Sequence, residues 1–127
     1  MRDIGLLIIR VGLGASMIAH GYPKLLNPDK WGWLGSQMVH LGVNFAPEVF
    51  GFLAGFVETF GGLFLLIGLF FRTTNLALAF TMFVAFMYHL NQNDPYGPTS
   101  HALELLCVFI GLSLIGPGKF SLAKKSL

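Results

Sequence analysis

Two ionisable residues sit inside stretches that are otherwise apolar enough to cross a membrane. Glu58 lies near the middle of PEVFGFLAGFVETFGGLFLLIGLFF, from Pro47 to Phe71, and Arg10 interrupts the apolar run at the N-terminus. An ionised group in lipid is costly, so each must face protein, a wet cavity or an opposite charge, or lose its charge. Gly51, Gly55, Glu58 and Gly62 share one helical face, and small residues there admit a neighbouring backbone. In the first run Arg10, Gly14, Met17 and Gly21 form a matching stripe, which Lys24 extends by a turn. Counted at ~1.5 Å per residue from the expected span ends, Arg10 and Glu58 lie within about 5 Å of one depth. That predicts an Arg10–Glu58 pair, direct or through water, coupling the first two spans. Two readings of Glu58 stand side by side: a polar lock between helices, and a direct part in ligand, proton or quinone chemistry. For Arg10 the alternative to pairing is snorkelling alone.

A second group of titratable residues falls at the other ends of the helices. His20 and Lys24 belong to HGYPKLL, His89 closes the run FMYHL, and Glu104 lies early in the last apolar stretch. His20, Lys24, His89 and Glu104 are therefore polar-pocket candidates, with Arg10 and Glu58 supporting the pocket electrostatically. Each has a structural alternative: a headgroup anchor for Lys24, hydrogen bonding for the histidines, and interaction with a helix N-terminus for Glu104. His40 and His101 read as surface or interfacial residues, Asp94 before Pro95 as a turn residue, and Cys107 as a packing residue. No CxxCH haem attachment, iron–sulfur cysteine set or dinucleotide fingerprint is present, and no metal site is expected. The catalytic residues, if any, are not identified by this pattern.

These residues need a scaffold of membrane helices. The chain has 127 residues, 54% hydrophobic and 11% charged, against about 25% charged in an ordinary soluble domain. Its mean hydropathy is +0.69. Thirteen Phe and sixteen Gly suit helices packed in lipid. A net charge of +2, dispersed along the chain, gives no basis for nucleic-acid binding. Four spans are readable: Ile4 to Tyr22, Pro47 to Phe71, Thr73 to Leu90 and His101 to Ile115. Gly21 and Pro23 predict a bend or stop in the first, and Thr99 or Ser100 a cap for the fourth. The first loop carries Trp31, Leu34, Met38 and Leu41 at helical spacing after Asn27–Pro28, which predicts an amphipathic segment on the outer surface. Trp31, Trp33, Arg72 and Tyr88 are the expected interface anchors. Arg2, Arg72, Lys119, Lys124 and Lys125 fall on one side, Lys24 and Lys30 on the other. The positive-inside rule then places both termini in the cytoplasm, in a bacterial inner membrane. The expected fold is all-α: a four-transmembrane-helix bundle with an amphipathic segment in the first loop, in one domain over residues 1–127.

Arg10, HGYPK from His20 to Lys24, PEVFGFLAGFVETFGG, GLFFRTT, MYH ending at His89 and GPGKFSL from Gly116 occur in an order that resembles the DoxX family of small membrane proteins. The resemblance covers nearly the whole chain; where the family often carries an acid near its end, this chain has Ala123. It implies a four-helix integral membrane domain whose corresponding polar residues are Arg10, His20, Lys24, Glu58 and His89. It also implies an association with sulfur metabolism, quinone-linked oxidation or membrane redox complexes. The leading expectation is a membrane component that assists or organises a redox system, holding a quinone, with the lipid bilayer and a redox enzyme or a second copy as partners. The alternatives are a small-solute transporter or permeability protein, and a non-catalytic partner-binding subunit.

Overall fold

In a computed structural model, which describes residues 1–122, the chain is all-α and contains four helices long and apolar enough to span a membrane. They are α1 (Arg2–Leu25), α3 (Pro47–Ile67), α4 (Phe71–Asn91) and α5 (Tyr96–Ile115). Between α1 and α3 lies a broken amphipathic segment: a 3-10 turn at Pro28–Lys30, the short helix α2 (Trp31–Gly35), and a second 3-10 turn at Ser36–Leu41. Ala123, Lys124 and Lys125 lie outside the described residues.

The glycine stripes are the seam of the bundle. The buried residues of α1 are Leu6, Arg10, Gly14, Met17 and Gly21, and those of α3 are Gly51, Gly55, Glu58, Gly62 and Leu65. A Cβ added at Gly14 would lie 2.7 Å from the Gly62 carbonyl oxygen, and one added at Gly21 would lie 2.5 Å from the Glu58 Cβ. Gly55 lies against Leu25 in the same way. The antiparallel register therefore sets Gly14 beside Gly62, Gly21 beside Glu58 and Leu25 beside Gly55. Backbones this close leave no room for a methyl group, which is how small residues join helices in lipid. Gly35 against Pro47 and Gly51 against Trp31 clamp α2 onto the start of α3 by the same device.

The helices run α1, α3, α4, α5 in packing order. A core of Leu6, Met17, Leu65, Phe71, Leu78 and Phe109 draws on all four. Both ends of the described chain meet at one end of the bundle: Arg2 donates to the Ile115 carbonyl at 3.2 Å, and the Lys119 amide donates to Asp3 Oδ1 at 2.9 Å. The turn from α3 to α4 is there too, pinned when the Leu122 amide donates to the Ile67 carbonyl at 3.1 Å. Gly68 makes that turn with φ +75°, and the Gly68 and Leu69 amides both bond the Phe64 carbonyl, a glycine-terminated helix end.

Several boundaries differ from expectation. α1 does not stop at Pro23 but runs through it to Leu25; the amide that proline lacks costs one hydrogen bond, and the close α1–α3 seam holds the last turn. α3 ends at Ile67 rather than Phe71, because Gly68 stops it. α5 begins at Tyr96, five residues before expectation, with Pro95 as its cap residue. Thr99 and Ser100 are therefore inside the helix, where their hydroxyls donate to the Pro95 and Gly97 carbonyls instead of capping.

Candidate functional site

Arg10 and Glu58 do not pair. Arg10 is 1% exposed, and the register places it opposite the end of α3. Its Nε donates to the Leu65 carbonyl at 3.1 Å and Nη2 to Leu66 at 2.9 Å; Nη1 donates to Phe120 at 2.6 Å and Pro117 at 3.2 Å. The guanidinium adds to the Gly68 amide on the Leu65 carbonyl, bonds that of Leu66 at the end of α3, and ties the returning tail beneath them. A depth estimate from span ends missed this because the glycine seam brings Glu58 level with Gly21, eleven residues (~16 Å) above Arg10.

Glu58 instead pairs with Lys24. Nζ lies 2.7 Å from Oε2 and 3.0 Å from Oε1, with the Glu58 side chain 3% and the Lys24 side chain 34% exposed. Continuation of α1 past Pro23 makes the pair: it keeps Lys24 on the buried stripe, one turn above Gly21. The Trp31 indole donates to the Lys24 carbonyl at 2.9 Å and its ring packs on Phe52 at 5.1 Å. Trp31, expected as an interface anchor, is thus a strut that fixes the last turn of α1.

The pair forms the polar end of a cavity of about 510 Å³ between α3 and α4. Its walls are apolar: Leu53, Ala54 and Val57 from α3, and Phe80, Val84 and Ala85 from α4. Leu34 and Met38 of the amphipathic segment roof it, beside Trp33 and Gln37. Tyr88 and His89 complete the lining at the far end of α4. Leu53 and Phe80 of this lining are also exposed at the surface of the bundle. The Thr81 hydroxyl is turned to its own helix, donating to Ala77 at 3.1 Å.

Of the four pocket candidates, Lys24 and His89 line this cavity and His20 and Glu104 do not. His20 is exposed; with Gly21 facing α3, the preceding residue is rotated off the seam. Glu104 is exposed more than two turns into α5, which packs on the other flank of α4. Asp94, expected only as a turn residue, holds His89: its Oδ2 lies 2.7 Å from Nδ1. Asp94 was missed because its partner is five residues back, across the end of α4, where helical spacing no longer relates the two. Trp33 and Tyr88 meet edge to face at 6.0 Å. With Gln37 they also border a second, more polar chamber of about 580 Å³ that His40, Asn44 and Gln92 line. Arg72 is exposed at the α3–α4 turn and Cys107 on the outside of α5. No group of three or more metal-ligating side chains occurs among the described residues.

No curated protein matches the chain, and no solved structure does. Residues 5–90, which include Arg10 and every residue lining the cavity between α3 and α4, match the DoxX family. The chain is a multi-pass protein of the lipid bilayer and belongs to the DoxX family of small integral membrane proteins.

Proposed function

We propose that this protein holds a lipid-soluble redox carrier of the quinone type in the cavity between α3 and α4, and serves a membrane redox system as its binding component. The observation that carries the reading is the lining of that cavity: apolar walls that include the surface-exposed Leu53 and Phe80, with the ionisable groups confined to Lys24, Glu58 and the Tyr88–His89 end. A quinone needs the same division, with hydrogen-bonding groups at its ring and apolar surroundings for its tail. The volume falls in the range of small-molecule sites, roughly 300–1,000 Å³. The chain acts here as one membrane domain; a redox enzyme or a second copy is its partner.

Trp31 and Trp33 are the two tryptophans, and Trp33 borders the cavity. In a Trp31→Phe background in lipid nanodiscs, a short-chain quinone is expected to quench Trp33 saturably, and Ala54→Phe, which fills the wall, to abolish saturation. Quenching that only tracks the quinone-to-lipid ratio, equal in both proteins, would defeat the proposal.

The basic residues further support an orientation with Arg2, Arg72 and Lys119 in the cytoplasm and Asn93 outside, in a bacterial inner membrane. In a Cys107→Ser background, an impermeant thiol reagent added to sealed cells should label a cysteine at Asn93 and not one at Lys119. The opposite result reverses the orientation.

One observation favours a second reading, passage of a small solute: the two chambers share Trp33, Gln37 and Tyr88 as a common wall. Solute uptake by the protein alone in liposomes, lost when that wall is altered, would put transport ahead of carrier binding.

A further inference from the structure

The His89–Asp94 contact is built rather than incidental. Asn93 takes a left-handed conformation, φ +53°, which turns the chain back on the end of α4. The Asp94 amide then donates to the His89 carbonyl at 3.1 Å, while the carboxylate meets the ring nitrogen at 2.7 Å. Asp94 is held to His89 through both backbone and side chain. The Tyr88 ring lies against the imidazole at 5.2 Å and 61°, and the His40 ring lies 6.2 Å from that of Tyr88. The imidazole therefore has a fixed position at the edge of the cavity.

That geometry fixes the chemistry of the remaining nitrogen. An ionised carboxylate only accepts hydrogen bonds, so in the neutral ring the proton sits on Nδ1 and Nε2 is left as a bare acceptor. The other polar end of the cavity has the opposite character. Lys24 has three N–H donors and no acceptor; it spans both Glu58 oxygens, which leaves one N–H for a ligand. Glu58 has its carboxylate oxygens on Lys24, and Thr81 has its hydroxyl on Ala77. Beside the Tyr88 hydroxyl and the Gln37 amide, which can each donate and accept and so do not discriminate, the cavity has a cationic donor at one end and a fixed imidazole acceptor at the other.

We infer that His89, positioned by Asp94, makes this cavity select the reduced, hydroxyl-bearing form of its ligand: a quinol over the corresponding quinone. The inference rests on the carrier-binding reading above. A quinol hydroxyl donates to Nε2. A quinone carbonyl at the same place sets acceptor against acceptor and leaves both without a partner, which costs more than a hydrogen bond simply not gained. Lys24 donates equally well to a carbonyl or a hydroxyl oxygen, so the discrimination falls on His89, the specificity-determining residue, with Asp94 as its positioning residue.

The test is equilibrium dialysis against nanodiscs that contain the full chain, anaerobic at pH 8, with binding to empty nanodiscs subtracted. The probes are a short-chain benzoquinol, its quinone, and the quinol dimethyl ether, which keeps the shape and lacks the donors. The quinol should bind roughly tenfold tighter than either, the scale of one hydrogen bond with its unpaired alternative. His89→Phe should bring the three level. Asp94→Asn can donate to Nδ1 and drive the ring proton to Nε2, so it should abolish the preference or turn it toward the quinone. Nitrogen NMR of the His89 ring should report that tautomer change directly, a signal that loss of packing alone would not produce. Equal binding of quinol and quinone by the unaltered protein overturns the selectivity and leaves the carrier site standing; binding of neither overturns both. A quinol preference unchanged in both variants removes His89 and Asp94 from the account. If His89→Phe does not fold, Asp94→Asn decides alone.

Discussion

Arg10 and Lys24 lie on the same stripe of α1 and have met opposite fates. Arg10 is sealed at one end of the bundle, with its donors on four backbone carbonyls of α3 and the returning tail. Lys24 is near the other end, one-third exposed, paired with a carboxylate and facing a cavity. The chemistry of the two cations accounts for the difference. A guanidinium is a rigid fork with five donors and can close several open carbonyls at once; an ammonium is a compact charge on a flexible stem. The Arg10 end is therefore a clasp, and a side chain at Gly68, whose added Cβ would sit 2.9 Å from Arg10 Nη2, would have no place in it. The Lys24 end keeps a donor over and has space beside it. A buried charge in a membrane helix is not by itself a functional site; what separates the two is that backbone closes around Arg10, while Lys24 faces a cavity that can hold a ligand.

Breaking the clasp should have the larger effect on stability. Arg10→Met removes the guanidinium from the carbonyls of Leu66, Pro117 and Phe120 and leaves Leu65 with the Gly68 amide alone, at about 1–3 kcal/mol for each group left buried and unsatisfied, and not additively. A total loss of about 4 kcal/mol is expected, read from unfolding in mixed micelles. Arg10→Lys should recover little of it, because one ammonium cannot reach both helix and tail. If Arg10→Met unfolds like the unaltered protein, the clasp is not structural and the contrast with Lys24 collapses.

The Lys24–Glu58 pair should give smaller, unequal losses. Lys24→Met leaves Glu58, almost wholly buried, without its counter-charge. Removing one partner of a buried pair costs about 3 kcal/mol, less when the stranded group takes up a proton. Glu58→Gln leaves Lys24 still able to reach water and should cost about 1 kcal/mol, near the net worth of one hydrogen bond. The double substitution should cost less than the sum of the two. The order of the two single losses sharpens the comparison: equal losses would mean that Lys24 is as enclosed as Glu58. Lowered quinol affinity in both variants, with the fold retained in Glu58→Gln, would tie this end to binding.

Residue types and spacing alone determined a good deal about this protein. Apolar length fixes the four spans, since about 20 residues must cross the hydrocarbon. The spacing of Gly14 and Gly21 on α1, and of Gly51, Gly55 and Gly62 on α3, marks which faces meet, because only small residues permit such an approach. It also carries Arg10, Lys24 and Glu58 onto those faces. Only the tertiary structure decided which of the two cations Glu58 would meet. That depends on the sliding register of α1 against α3, which helical periodicity does not contain, and on α1 continuing through Pro23. The partners of Arg10 lie 55 to 110 positions away, on the end of α3 and on a tail whose return no local pattern announces. Likewise His20 and Glu104 share with His89 a place near the helix ends, but a cavity is set by direction around each helix and by which helices are neighbours. Height along the membrane can be counted from a sequence; azimuth and neighbourhood come from the packing of whole helices.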